Sequence, residues 1–161
     1  MKNDGFTLVE VLTVIVVLAL VMLIAIPSVI AIQNRLQENM LNTKINFAVG
    51  QARLMGIDNK EHFNAPTCRN NVGSSDETGL KDCKCNEEGG SWQNKTCNIT
   101  LHSLAEQKFL EWDNEAEKKL INPQNTSNCI NFWEVKIIYV RASKVFQTEI
   151  DPASKTNHTC P

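Results

Sequence analysis

Between Val11 and Ile32 the sequence runs for 22 residues without a formally charged side chain, interrupted only by Thr13, Pro27 and Ser28. As an α-helix at about 1.5 Å per residue this run is about 33 Å long, enough to cross a hydrocarbon core of about 30 Å. In lipid such a run has to be helical, because each backbone N–H and C=O must find its partner inside the segment. Glu10 stands one residue outside its N-terminal edge. A carboxylate at the mouth of a membrane segment is costly and calls for a named partner. The next cationic side chain after it is Arg35, so the helix itself offers no obvious one, and the partner is expected from elsewhere.

The string Gly5-Phe6-Thr7-Leu8-Val9-Glu10 followed by an apolar helix resembles the N-terminal signal of type IV pilins and type II secretion pseudopilins. The resemblance covers about residues 1–55 and implies specific roles. Prepilin peptidase cuts between Gly5 and Phe6, removing Met1–Gly5. Phe6 becomes an N-methylated terminus, and Glu10, fifth in the mature chain, pairs with the terminal amine of a neighbouring subunit during assembly. Pro27, 22nd in the mature chain, falls where the family often carries a proline that bends or locally melts the helix. One departure is Asp4, which leaves Lys2 as the only basic side chain of the leader.

Elementary electrostatics agrees with that role for Glu10. A free α-amine, with a reference pKa near 8, is largely cationic at neutral pH. Opposite charges about 4 Å apart at an effective dielectric near 20 attract by about 4 kcal/mol. In an apolar core an unpaired carboxylate carries a desolvation penalty, so the pair selects one axial register. The bland alternative is a glutamate snorkelling to the headgroups. A signal peptide competes for the apolar run, but the run exceeds the usual length of about 7–15 residues and no small-x-small cleavage site follows. A plain bitopic anchor explains neither Gly5 nor Glu10. With Lys2 retained inside, the expected orientation is N-in, C-out, and the resemblance implies that the membrane is a bacterial inner membrane.

From Gln33 to Ile57 the apolar pattern becomes periodic. Ile32, Leu36 and Met40, and then Ile45, Ala48 or Val49, Ala52 and Met55, recur at steps of three and four within each group, which predicts that one helix leaves the membrane and buries a stripe under a globular domain. Gly56 and Asp58-Asn59 are the expected stop. Pro27 must interrupt one backbone hydrogen bond. The organisation is thus a leader 1–5, a membrane or filament-core half 6–32, an amphipathic half 33–57 and a cysteine-rich domain 58–161.

Mean hydropathy over the whole chain is −0.24 despite the apolar run, so the remainder is polar; net charge is −2, with no basic block to suggest nucleic acid. All six cysteines (Cys68, Cys83, Cys85, Cys97, Cys129 and Cys160) lie beyond the helix, as suits an oxidising, extracytoplasmic compartment. Cys83-x-Cys85 with Cys97 and His102 admits a zinc reading, but structural zinc pairs use a wider gap and disulfides are the better reading. Six cysteines allow about 15 pairings, and a Cys83–Cys85 ring is strained. Neither metal nor cofactor is expected.

Within the domain, Thr96–Leu101 reads as a short strand, and Ser103-Leu104-Ala105-Glu106 as a capping box that opens a helix ending before Asn122-Pro123. Leu104, Phe109, Trp112, Ala116 and Leu120 then share its buried face. Gln124–Asn128 reads as a loop. Alternation of Trp133, Val135, Ile137 and Tyr139 makes 130–140 a strand that turns at Arg141–Lys144 and returns over Val145–Ile150. Cys129 and Cys160 resemble the C-terminal disulfide of many pilins. Four Asn-x-Ser/Thr sequons, at Asn94, Asn98, Asn125 and Asn157, are weighed as chance in an Asn-rich chain. His62, His102 and His158 stand apart with no nucleophile beside them, and nothing resembles an enzyme site.

The fold expected is α+β and pilin-like: a long, partly transmembrane helix on a small antiparallel-sheet domain stapled by disulfides. The function implied is a filament subunit, partnered by its own copies or other pilins. Prepilin peptidase would process it, and an inner-membrane platform and cytoplasmic ATPase would drive its assembly. No Ca²⁺ loop of the major pseudopilin kind stands near Cys160, which favours a pilin. The alternative is a membrane-anchored, cysteine-rich binding domain that never polymerises.

Overall fold

The computed structural model describes residues 7–64, 78–88, 91–156 and 158–160. Helix α1 runs Leu8–Asp58, α2 is Lys60–Phe63 and α3 is Leu101–Glu106. The strands are β1 Lys81–Glu88, β2 Ser91–Thr100, β3 Ile121–Asn122, β4 Asn125–Cys129, β5 Glu134–Val140, β6 Val145–Ile150 and β7 His158–Thr159. By contacts the chain divides into two compact units, Met1–Asn39 and Met40–Pro161.

In the first unit α1 holds an 18-residue window of mean hydropathy 3.1, none of it buried within the protein, so by length and composition it can cross a membrane. Thr13, one of the polar residues of the run, donates its hydroxyl to the Val9 carbonyl at 2.7 Å and so needs no water. Pro27 lies inside the helix.

In the second unit two antiparallel sheets share one core with the C-terminal part of α1. The larger sheet has the order β1-β2-β5-β6 and the smaller β3-β4-β7. Strand β5 shows why: Val135, Ile137 and Tyr139 are fully buried while Glu134, Lys136 and Ile138 point away, the period-two pattern of a sheet with one covered face. The covering helix presents Leu41, Ile45, Ala48, Ala52 and Met55, all buried. This is the α+β, pilin-like arrangement expected.

The expected stripe holds from Ile45 onward but fails before it, since Leu41 is buried whereas Met40 is exposed, as are Ile32 and Leu36. Gly56 does not stop the helix. A Cβ there would lie 2.9 Å from Phe146 Cδ1 and 3.1 Å from Ile137 Cγ2, so the glycine lets helix and sheet approach. Phe63 on α2 closes this end, edge-on to Phe146 at 5.2 Å, with Tyr139 and Phe146 at 4.9 Å. Buried Lys95 keeps its ammonium satisfied by donating to the His62 carbonyl at 2.8 Å.

Several local expectations are corrected. The strand expected at Thr96–Leu101 is the end of a longer one, and β1, expected as loop, pairs with it from Glu88↔Ser91 to Lys81↔Asn98. Strand β1 contains no β-branched or aromatic residue, so propensity was silent. Helix α3 begins two residues earlier than Ser103 and is capped by Thr100, whose Oγ1 accepts from the Ser103 N–H at 3.1 Å. It also ends early. Phe109 N–H bonds the Leu104 carbonyl and Lys108 N–H the Ala105 carbonyl, with Lys108 left-handed at φ 65°. That is a Schellman closure with lysine where glycine is usual. Residues 107–120 are therefore turns, Ala116 is exposed, and Phe109 and Trp112 are half-buried at the edge of the core. Expected loop Gln124–Asn128 carries most of β4, and the strand expected from Ile130 starts at Glu134 because 131–132 turn.

Asn131 holds the irregular segment in place. Its Oδ1 accepts from the Leu120 N–H at 2.8 Å and its Nδ2 donates to the Lys118 carbonyl at 2.7 Å, with the residue 5% exposed. Asn131→Ala leaves two backbone groups unpaired and should cost about 2–3 kcal/mol. Urea unfolding of the full chain in detergent measures it, and a loss under about 0.5 kcal/mol would contradict this role.

Candidate functional site

Thr7 and Glu10 form a closed capping box at the start of α1. The Glu10 Oε2 accepts from the Thr7 N–H at 2.8 Å and from the Thr7 hydroxyl at 2.9 Å, and the Thr7 Oγ1 accepts from the Glu10 N–H at 3.4 Å. The Thr7 carbonyl accepts the first helical bonds, from Glu10 N–H and Val11 N–H. The Thr7 and Glu10 N–H groups that the two side chains satisfy are among the donors a helix start leaves without i−4 partners. The structure thus gives Glu10 a neutral partner, Thr7, at the start of its own helix, where the sequence offers no cationic one. The signature Thr-x-x-Glu was legible, being the same one read at Ser103–Glu106. There the structure uses it differently, Thr100 capping and Glu106 turning to Lys118 at 3.1 Å and His102 at 3.4 Å. The hydrogen bond from the Lys118 ammonium, with His102 beside it, holds the Glu106 carboxyl below the usual carboxylate range.

Glu10 is exposed, and so are the apolar side chains behind it: Leu12, Ile15, Leu18 and Met22 each keep more than half of their surface open. A carboxylate engaged only by a hydroxyl and one amide retains acceptor capacity, since each oxygen has two lone pairs. It can exchange the Thr7 contacts for an incoming ammonium. Gly5 and Phe6, the cleavage and methylation positions of the resemblance, lie outside the described residues.

A second apolar stripe takes Met40 from the stripe expected to be buried and joins it to Phe47 and Leu54, which that expectation left out. Met40, Phe47 and Leu54, seven residues apart, are 60%, 54% and 51% exposed, on the side of α1 away from its buried stripe. Seven residues are nearly two turns, so the three side chains stand in one row. The signal was available, but the buried stripe drew the periodicity reading to itself.

The cysteines are joined rather than free for metal. Cys83 bonds Cys97 across β1 and β2, and Cys129 bonds Cys160. Cys85 is also in a disulfide. The zinc reading of Cys83, Cys85, Cys97 and His102 therefore fails for want of thiolates. The one close grouping of ligand atoms among the described residues, His62 with Cys83 and Cys97, contains that same disulfide. Cys68 lies outside the described residues. Pairing of 83 with 97 was not legible, because it depends on β1 lying beside β2.

Residues 1–26 match the prokaryotic N-terminal methylation motif, the prepilin signature of type IV pilins and pseudopilins. Neither a curated protein nor a solved structure matches the chain.

Proposed function

We propose that this protein is a structural subunit of a type IV pilus-type filament, a pilin or minor pilin, matured by prepilin peptidase and assembled through its N-terminal helix. The observation that carries this reading is the methylation motif over residues 1–26, joined to a capped apolar helix whose Glu10 carboxylate stays accessible.

The precursor sits in the inner membrane as a single pass, N-terminus inside. Its domain is outside, where disulfides persist. Peptidase cleaves after Gly5, and the freed Phe6 amine is methylated yet still cationic. On extraction, driven by a cytoplasmic ATPase through a platform protein, the apolar faces bury against those of neighbouring copies. That burial supplies cohesion at about 25 cal/mol per Å². It is indifferent to register, and the charge pair between Glu10 and a neighbour's terminal amine supplies the register. The row Met40, Phe47 and Leu54 supports the same reading, since it continues apolar surface into the amphipathic half. On this reading the role is structural.

The mature N-terminus tests the proposal. Mass spectrometry of the protein from its native host should find a chain beginning at N-methyl-Phe6. An intact Met1, or a cut beyond Ala31, supports the anchored, non-polymerising domain instead.

A further inference from the structure

The turns that replace the expected helix border an open cavity of about 620 Å³, a size usual for small-molecule sites. Its walls include Trp112 with Glu106, Lys108, Glu111, Glu115 and Lys118. Trp112 is half-buried and contacts His102 edge-on at 5.1 Å. Lys118 and His102 occupy the Glu106 carboxylate. The side chains of Lys108, Glu111 and Glu115 make no hydrogen bond or ion pair among the described residues, so one ammonium and two carboxylates flank the ring uncommitted.

Two of the lining residues sit in a backbone conformation that favours glycine: Lys108 at φ 65° and Lys118 at φ 49°. Left-handed non-glycine residues are uncommon, and such strain concentrates at ligand sites. Here two of the four such residues described border one cavity.

We propose that this cavity binds a neutral saccharide, one sugar ring stacking on Trp112 while Lys108, Glu111 and Glu115 hold its hydroxyls. The negative face of an aromatic ring attracts the weakly positive C–H face of a pyranose. Each sugar hydroxyl both donates and accepts, so it is matched by a mixed set of ammonium donors and carboxylate acceptors. An anionic ligand would meet the two carboxylates, and a cationic one the free ammonium. A neutral polyol meets neither penalty.

The test uses the full chain in lauryldimethylamine oxide, a detergent without a sugar headgroup, labelled with 5-fluorotryptophan. Trp92, Trp112 and Trp133 then give separate fluorine resonances, that of Trp112 assigned by its loss in Trp112→Phe. Lactose and triacetylchitotriose are titrated into the millimolar range, with trilysine and inorganic phosphate as controls. A saturable shift of the Trp112 resonance alone, with one of the two sugars, is the expected result. Affinity should fall at least about fivefold in Lys108→Gly and in Glu111→Gln. Lys108→Gly should also melt no lower than the parent, because glycine relieves the left-handed backbone, which separates lost binding from lost folding. No saturable shift with either sugar, equal shifts of all three tryptophans, or unchanged affinity in both variants overturns the proposal. A response to trilysine or phosphate alone overturns it too, reassigning the cavity to a cationic peptide or an anion.

Discussion

Replacing Glu10 by alanine should abolish filaments while leaving cleavage after Gly5 and membrane insertion intact. A charge pair near 4 Å at an effective dielectric near 20 contributes about 4 kcal/mol, roughly a thousandfold in an equilibrium constant. Even a third of that lowers surface filaments about tenfold. The capping box makes a sharper experiment possible. Glu10→Gln keeps an oxygen for Thr7 but removes the charge, and should fail as alanine does. Thr7→Ala removes the hydroxyl from the box, costing about 1 kcal/mol of helix stability, but leaves the carboxylate for an incoming amine. It should keep assembly within about twofold of the parent. Filament counts by electron microscopy, with immunoblots for precursor and mature chain, read all three variants. If Thr7→Ala loses filaments as completely as Glu10→Ala, the carboxylate matters for capping the start of α1 and the register role is lost.

Removal of the Cys129–Cys160 disulfide should produce the largest stability loss. With a sequence separation of 31, loop-closure entropy gives about 3–4 kcal/mol, against about 3 kcal/mol for Cys83–Cys97 with its separation of 14. The smaller sheet explains why this bridge matters locally as well. Strands β3 and β7 have two residues each, and β7 meets β4 only at Asn128↔Thr159 and Cys129↔His158. So small a sheet does not persist by pairing alone. In the double variant Cys129→Ser, Cys160→Ser, β7 should detach from β4. Other contacts of the tail, among them Trp133 Nε1–H donating to the Thr156 carbonyl at 3.0 Å and Glu134 N–H to the Ser154 hydroxyl at 2.8 Å, lie before β7. There remain the exposed ring contact of His158 with Phe132 at 5.1 Å and the Cys160 N–H bond to the Ser127 carbonyl at 3.1 Å, which do not suffice to hold it. Thermal melting of the full chain in detergent, followed by near-ultraviolet circular dichroism, should drop by roughly 10–15 °C. A fall of less than about 3 °C would mean that the tail holds without its bridge.

The loop 107–120 is fastened to the rest of the second unit by polar contacts that no pattern announces. Lys44 on α1 pairs with Asp113 and also donates to the Ile121 carbonyl at 3.0 Å. Asp113 in turn accepts from the Ile121 N–H at 2.6 Å. Each partner is ordinary in sequence, and each is defined only once the helix and the loop lie side by side.

The sequence by itself determined the membrane-capable helix, its charged edge at Glu10 and the β5–β6 hairpin. Charge-free length and strict alternation are local properties, and no distant contact can reverse them. The tertiary structure decided the rest. Strand β1, without a single good strand former, exists because β2 and a disulfide hold it. The segment after Glu106 could have continued as helix by its periodicity, yet Lys108 closes it, and Asn131 and Lys44 fasten the turns of 107–120 in its place. Those choices depend on backbone groups finding partners many residues away, and side-chain pattern carries no record of such partners.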